Sequence, residues 1–251
     1  MIKLHNIELS FGSRTLIADA SAHFECGAMT ALLGRNGTGK STLLRAIASL
    51  GRVQRGVIEV GGRDVAMLSS AELAHVLAFV NTERVSVEGM RAYDLVAVGR
   101  SPYTDWSGKL KSSDHAMVER SMAIAGVEHL VNRYVDTLSD GECQRVMIAR
   151  ALAQDTPIIL LYEPTSYLDM PNRYELCTLL GRLAHNEGKC IIFSTHELDI
   201  ALTLADTIAL VDTPKLLHMA TDEMIASGSI ERLFDSPYIR FDASTRSIHL
   251  K

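Results

Sequence analysis

The stretch GRNGTGKS, from Gly34 to Ser41, has the residue types and the spacing of a loop that holds nucleotide phosphates. Its glycines allow the backbone to wrap closely, so that successive amide groups can point at one phosphate. A helix that begins near Lys40 would add its positive N-terminal end at the same place. Lys40 can reach the β- and γ-phosphates, and the Ser41 hydroxyl is placed to bind Mg²⁺. The loop therefore predicts a site for a purine nucleoside triphosphate.

Such a loop needs a strand before it and a helix after it, and the flanking sequence predicts both. The apolar run Met29–Leu33 precedes the loop, and a helix is predicted over Ser41–Leu50, with Gly51 as its stop signal. The predicted buried face of this helix consists of Leu43, Leu44, Ile47 and Leu50.

Short apolar strands alternate with helical segments along the chain, which predicts a largely parallel sheet with helices on both faces. Nearly continuous apolar runs are typical of strands that are covered on both sides. The N-terminal stretch to about Phe24 and the segment Val57–Val60 are predicted to be antiparallel additions. The predicted parallel strands are Met29–Leu33, Ala78–Val80, Ile158–Leu161, Ile191–Ser194 and Ile208–Val211.

Residues from about 86 to 138 differ, because they have the pattern of helices and loops and contain no convincing strand. Helical segments are expected at Gly89–Arg100 and Asp114–Ala125. We predict a single domain over residues 1–251, with a core of residues 1–85 and 139–251 and an inserted helical lobe of about 86–138.

The composition, 47% hydrophobic and 22% charged, is ordinary for a soluble α/β protein. A formal net charge of −5 and the absence of a Lys/Arg tract argue against nucleic acid as a partner. No apolar run approaches the ~18 residues that span a bilayer, and the N-terminus has no signal-peptide pattern. The cysteines show no metal-ligand spacing, so we expect idle thiols in a reducing cytoplasm. These residues are Cys26, Cys143, Cys177 and Cys190.

Further motifs follow the phosphate loop in a fixed order. The stretch LSDGECQR, Leu138–Arg145, resembles the LSGGQ signature of ATP-binding cassette (ABC) proteins, although Ser139 and Glu142 alone would fit a helix capping box. EPTSYLD then contains Glu163 and a D-loop-like Ser166–Asp169. FSTHELD places a histidine at the end of the next apolar strand. The ordered set resembles the ABC ATPase family over nearly the whole chain.

The resemblance implies a P-loop NTPase-type fold that works as a head-to-tail homodimer. The signature residues Ser139 and Gly141 would contact the γ-phosphate of ATP on the partner. Glu163 would be the general base, and His196 would hold the γ-phosphate and that glutamate in register. Asp169 would carry the coupling across the dimer interface. In such phosphoryl transfer, catalysis depends on positioning and charge stabilisation.

The predicted site therefore has ATP and Mg²⁺ as cofactors and uses residues from both subunits. Glu163 and His196 are the predicted catalytic residues, and Ser41 is the predicted metal ligand. Phe11 matches the aromatic residue on which adenine stacks in the family, although such a phenylalanine alone would also fit a core position. The residues predicted to bind the nucleotide are Phe11, Gly34, Arg35, Asn36, Gly37, Thr38, Gly39, Lys40, Ser41, Thr42, Ser139, Gly141 and Asp169.

The run VAVGRSPY, Val96–Tyr103, resembles the corresponding segment of importers for ferric siderophores, haem and cobalamin. This resemblance implies a transmembrane permease dimer as partner and, indirectly, a substrate-binding protein. The chain would then be cytoplasmic and peripheral at the inner face of the membrane. Cassette ATPases of DNA repair or translation are a weaker alternative, because they usually carry two cassettes or long insertions.

Three places depart from the family pattern. Asp140 and Glu142 replace a glycine and the glutamine of the signature, and Asn81 or Thr82 stands where a metal-sensing glutamine is usual. Tyr162 replaces the aspartate that normally holds the Mg²⁺ water shell. A tyrosine is neutral near pH 7 because its pKa is ~10, and its ring is predicted to point towards the metal. This departure leaves open a nucleotide-responsive module with impaired hydrolysis.

Overall fold

The structure is a computed structural model of the chain, and it describes residues 1–81 and 87–251. Its sheets are formed by strands from the N-terminal, middle and C-terminal parts of the chain. In chain order, the strands are β1 (Ile2–Phe11), β2 (Arg14–Phe24), β3 (Met29–Gly34), β4 (Arg55–Val60), β5 (Arg63–Asp64), β6 (Leu77–Val80), β7 (Ile158–Leu161), β8 (Cys190–Ser194), β9 (Thr207–Asp212), β10 (Lys215–Ala220), β11 (Ile239–Asp242) and β12 (Ser247–Leu250).

Helices occupy most of the connections between these strands. Short 3₁₀ segments lie at Val65–Met67, Val98–Tyr103, Glu128–Leu130 and Val135–Thr137. The α-helices are α1 (Lys40–Ile47), α2 (Ser70–Ala74), α3 (Ala92–Ala97), α4 (Ser112–Ile124), α5 (Asp140–Ala153), α6 (Met170–Glu187), α7 (Leu198–Leu204), α8 (Thr221–Ala226) and α9 (Ser229–Phe234).

The central sheet has six strands in the order β10-β9-β3-β8-β7-β6. The strands from β9 to β6 pair in parallel, and β10 is antiparallel to β9 at the edge. All five strands predicted from the sequence lie in this sheet, within one residue of the predicted bounds at each end. Strands β3, β7 and β8 are buried along their whole length, as their continuous apolar sequences predict.

A second sheet, with the order β2-β1-β4-β5, is antiparallel throughout and is built from the N-terminal part of the chain. The predicted antiparallel additions are therefore confirmed. The sheet packs with α1 and one face of the central sheet in one apolar cluster, while α5, α6 and α7 cover the other face. The mostly parallel α/β architecture with an antiparallel N-terminal part is thus confirmed.

The helix after the phosphate loop ends earlier than the sequence predicts. Leu43, Leu44 and Ile47 are buried as expected, but Leu50 is 65% exposed. The helix stops at Ile47, and Ser49 adopts a left-handed conformation with φ of 57°, so the chain turns before Leu50 can join the buried face. The prediction for Leu50 was wrong, because the turn comes before Gly51.

Within residues 87–138, the described chain forms α3, α4 and 3₁₀ segments and contains no named strand. A single antiparallel bridge joins Arg91 to Tyr134. Helices α3 and α4 pack against α5 through one apolar cluster that continues into the central core. The buried ion pair of Arg100 and Asp114, 2.9 Å between Nε and Oδ1, joins the 3₁₀ segment Val98–Tyr103 to α4. The division of the chain into a core and an inserted lobe stays a prediction.

Candidate nucleotide site

The phosphate loop lies at the carboxyl end of β3, where the strand turns into α1. Gly34 has φ of 152°, and a Cβ atom there would come within 2.7 Å of the Val211 carbonyl oxygen and 2.8 Å of Thr38 Oγ1. Gly39 precedes the helix with φ of 107°, and a Cβ atom there would lie 3.0 Å from Leu16. Only glycine fits these two places without a shift of the neighbours. The loop is thereby shaped to bring backbone amides close to a phosphate group.

Lys40 begins the helix and is 5% exposed. Its Nζ donates to the carbonyl oxygen of Gly34 at 2.8 Å and to that of Arg35 at 3.2 Å. Burial lowers the pKa of the ammonium group, and the Glu163 carboxylate acts in the opposite direction. The ammonium group is thus held against the loop, where a phosphate oxygen would replace one of its carbonyl partners.

A cavity of about 490 Å³ opens beside the loop, which is in the size range of small-molecule sites. Gly37, Gly39, Ser41 and Thr42 line it at one side. Phe11 also lines it and is 77% exposed, so the alternative of a core position for this ring is wrong. A nucleotide could reach from the exposed ring to the phosphate loop within this cavity. Among the remaining predicted loop residues, Thr38 bonds to the Arg35 carbonyl oxygen at 2.9 Å, and Asn36 lies in the loop turn.

The carboxyl ends of β7 and β8 bring Glu163 and His196 together. His196 Nε2 lies 2.5 Å from Glu163 Oε1. The Glu163 amide donates to Ser194 Oγ at 3.0 Å, and the Ser166 hydroxyl donates to the Glu163 carbonyl oxygen at 3.0 Å. Glu163 has a positive φ of 45°, an uncommon backbone conformation that these contacts hold in place. The carboxylate is therefore fixed in direction by its own backbone and by the histidine.

Tyr162 directly precedes Glu163 at the carboxyl end of β7. Its amide donates to the Val80 carbonyl oxygen at 2.9 Å, and its half-buried ring packs against the cluster that contains α1. Burial raises the pKa of the phenol and Glu163 raises it further, whereas Arg45 and a side-chain hydrogen-bonding contact with Ser41 act in the opposite direction. The phenol is therefore neutral near pH 7 and lies against the hydroxyl that was predicted to bind the metal.

The signature residues lie elsewhere on the same chain. Ser139 caps α5, accepting a hydrogen bond from the Glu142 amide at 3.3 Å, while the Glu142 carboxylate accepts from the Ser139 amide at 2.8 Å. The capping box weighed from the sequence is thus present. Ser139 and Gly141 line a separate cavity of about 340 Å³ that shares no lining residue with the phosphate-loop cavity. One chain therefore does not bring its own signature to its own loop.

Asp169 is the N-cap of α6, where its Oδ1 accepts a hydrogen bond from the Asn172 amide at 3.1 Å. Within a single chain this contact stabilises the helix end, and the predicted role in coupling stays a prediction. Asn81 follows β6 at the same edge of the sheet as Tyr162, whereas Thr82 lies outside the described residues.

Comparison with known proteins decides the family. The ABC transporter family matches residues 17–166, which is more than half of the 251 residues of the chain. The chain belongs to the ABC transporter family. It is 37% identical to an achromobactin transport ATP-binding protein from Dickeya dadantii, over 93% of this chain and 87% of that protein. A petrobactin import ATP-binding protein from Bacillus subtilis is 30% identical, over 94% and 93% of the two chains.

The fold of this ABC cassette agrees with solved structures. An ABC transporter determined in an inward-facing conformation superimposes with a TM-score of 0.83 at 26% identity, covering 99% of this chain and 94% of that one. The ABC ATPase domain binds ATP, and the fold class predicted from the sequence is confirmed. In the described part of the chain, no helix is long and apolar enough to cross a bilayer.

Two residues of this ABC cassette were missed by the sequence reasoning. Ser194 anchors the Glu163 amide, and its place at the end of an apolar strand two residues before His196 was the available signal. Arg45 lines the cavity beside the phosphate loop. Its spacing of four residues from Ser41 puts both on one helix face, which the sequence could have shown.

The side chains around Ser41 fit a nucleotide better than they fit Mg²⁺. Ser41 offers one hydroxyl, and the Tyr162 phenol, whose pKa Ser41 influences, supplies no negative charge. Magnesium prefers carboxylate and water oxygens. Over residues 1–81 and 87–251, no group of three or more His, Cys, Asp or Glu side chains could hold a metal ion. The donor set present therefore does not match the metal site that the family resemblance implies.

Proposed function

We propose that this chain is the ATP-hydrolysing subunit of an ABC importer that takes up an iron chelate, such as a ferric siderophore or haem, or cobalamin. The observation that carries the proposal is the contact of Glu163 with His196 at the edge of the sheet where β3 enters the phosphate loop. A positioned base next to bound phosphates is what ATP hydrolysis requires.

Binding of ATP would begin at the loop. The amides between Gly34 and Ser41 face one phosphate, and Lys40 turns from the loop carbonyls to the β- and γ-phosphate oxygens. The exposed Phe11 ring offers a surface on which adenine can stack. The loop residues Arg35, Asn36, Thr38 and Thr42 complete the set that we assign to the nucleotide.

In the hydrolytic step, the Glu163 carboxylate accepts a proton from the water that attacks the γ-phosphorus, while the bond from that phosphorus to the bridging oxygen breaks and ADP leaves. His196, in contact with Glu163 Oε1, keeps the carboxylate directed towards that water and would bond a γ-phosphate oxygen. Ser194 and Ser166 hold the backbone of Glu163 so that the carboxylate does not need to reorient during the step.

The second half of the site would come from another copy of the chain. Ser139 and Gly141 lie in a different cavity from the phosphate loop, which supports a head-to-tail homodimer in which they close over the partner's ATP. Asp169, at the start of α6 and next to that cavity, would lie at the interface and couple the two sites.

The substrate class rests on the relatives. Two similar proteins are named for achromobactin transport and petrobactin import, and the VAVGRSPY run of this chain resembles the corresponding segment of importers for ferric siderophores, haem and cobalamin. We therefore infer a permease dimer as membrane partner, with a substrate-binding protein acting through that permease. The chain would be cytoplasmic and peripheral at the inner face of the membrane, and its net charge of −5 argues against nucleic acid as a partner.

A second candidate function is a nucleotide-responsive module that closes on ATP and hydrolyses it slowly. The observation that favours it is the neutral phenol of Tyr162 against Ser41, where the family has a carboxylate. In that case the Glu163–His196 pair is intact, but the charge of the phosphates is poorly neutralised during turnover.

The test of the proposal is phosphate release by the purified chain with ATP and MgCl₂, compared with its Glu163→Gln variant. Release by the parent that the variant lacks supports the ATPase. Nucleotide binding without release above the variant's background favours the second candidate, and absence of ATP binding contradicts both.

A further inference from the structure

The triphosphate end of the cavity is short of positive charge if no metal is bound. A nucleoside triphosphate carries several negative charges, and a matching protein site normally neutralises them with a lysine and a divalent cation together. Here the neutral Tyr162 phenol, at the end of β7, brings no charge that could hold a cation next to Ser41. Lys40 is present, but one ammonium group leaves most of the phosphate charge without a partner.

Arg45 is an available cation at this end of the cavity. It lies on α1 four residues after Ser41, on the same helix face, and its side chain is exposed. Among the described residues it forms no side-chain hydrogen bond or ion pair. Helical side chains lean towards the N-terminus of their helix, which for α1 is the phosphate loop. A guanidinium group on this helix face, at the wall of the cavity, is therefore within reach of phosphates bound at the loop.

Two facts separate Arg45 from the other arginines of the cavity. Arg45 lines the cavity together with Ser41, and, against the larger effect of burial, its charge lowers the pKa of the Tyr162 phenol, in line with a position on the Ser41 side of the cavity. Arg14 pairs with Phe11 in the β1–β2 register and so belongs to the end of the cavity near the aromatic ring, and Arg52 does not contribute to the pKa shift of Tyr162.

We propose that the Arg45 guanidinium takes the place of the divalent cation against the β- and γ-phosphates, so that this cassette binds ATP without a metal. A guanidinium presents paired N–H donors that match phosphate oxygens and is always charged. It can neutralise the triphosphate during binding. The inference rests on the proposed nucleotide site and assigns to it a metal-independent mode of binding.

The experiment is calorimetric titration of the full chain with ATP, once in excess MgCl₂ and once in EDTA. The variants are Arg45→Gln and, as a matched control, Arg240→Gln, which removes the same charge from an exposed position on the C-terminal hairpin. We expect the parent and the control to bind ATP in EDTA within about threefold of their affinity in Mg²⁺. Arg45→Gln should bind about tenfold more weakly than the control in EDTA, since a hydrogen bond to a charged group is lost. Circular dichroism spectra establish that each variant is folded.

A second set of titrations uses chains that carry Tyr162→Asp, alone and together with Arg45→Gln. With the carboxylate in place, ATP binding should become stronger in Mg²⁺ than in EDTA, and Arg45→Gln should then cost less than about threefold in Mg²⁺. A parent affinity that falls by more than about threefold in EDTA would overturn the inference, as would an Arg45→Gln variant that binds like Arg240→Gln. A parent that binds no ATP in either buffer would instead overturn the proposed function, and this inference with it.

Discussion

The triphosphate site has two sides, the phosphate loop and the carboxyl end of β7. They differ in how closely their residues match what ATP hydrolysis requires. The phosphate loop has every feature that it needs: glycines where a Cβ would collide, a buried lysine and the start of a helix. The end of β7 has the proposed base, Glu163, held by a histidine and by two serines, but it has a phenol where a carboxylate is usual. The difference teaches that phosphate binding and metal binding depend on separate parts of the fold and can change separately.

The base on the β7 side can be removed without touching the loop. Glu163→Gln should lower the rate of phosphate release by at least about a hundredfold, because the water loses its proton acceptor. ATP affinity should stay within about twofold, since the loop makes the phosphate contacts. Single-turnover phosphate release and calorimetry measure the two quantities.

The control for this change is Glu119→Gln, at an exposed position on α4, which should leave both quantities unaltered. Equal rates for Glu163→Gln and the parent would show that the carboxylate is not the base.

The phosphate loop can likewise be altered without changing Glu163. Lys40→Ala should weaken ATP binding by about a hundredfold, because the β- and γ-phosphates lose the buried cation that lies nearest to them. Lys215→Ala, an exposed position on β10, is the matched control. Calorimetry that finds Lys40→Ala within about twofold of the control would contradict the assignment of the loop.

The strands and the phosphate loop could be predicted from the sequence, because each depends on a pattern of neighbouring residues. The strand bounds follow from continuous apolar runs, and the loop follows from one motif next to a strand and a helix. Leu50 was placed wrongly because a local turn at Ser49 ended the helix before the next apolar position.

The contacts between motifs were harder to predict. The Ser194 anchor and the approach of the Tyr162 phenol to Ser41 both depend on β3 lying beside β8 and on β7 lying beyond it. The order of these strands in the sheet cannot be predicted from residue spacing within one segment. Thr82, the alternative to Asn81 in the metal-sensing position, stays a prediction because it lies outside the described residues.

If the signature residues act across a dimer, the phosphate loop and the β7 side of the site both need a second copy of the chain. ATP should convert the monomer to a dimer, and Glu163→Gln should lengthen the life of that dimer by slowing hydrolysis. Ser139→Ala should weaken this dimer, since one contact to the partner's γ-phosphate is lost. Light scattering at saturating ATP measures the mass. A monomer for both the parent and Glu163→Gln would count against the head-to-tail arrangement.

The central claim is that the loop is intact and the β7 side is altered, and Tyr162→Asp tests it most directly. The measurement is steady-state ATPase rate as a function of Mg²⁺ concentration for the parent and this variant. Partners that hold a metal's water shell typically matter ~10–100-fold, so the variant should turn over at least about tenfold faster and reach half its maximal rate at lower Mg²⁺. ATP affinity in EDTA should change far less than the rate. If rate and Mg²⁺ dependence are both unchanged, Tyr162 does not control the metal, and the proposed difference between the two sides of the site is wrong.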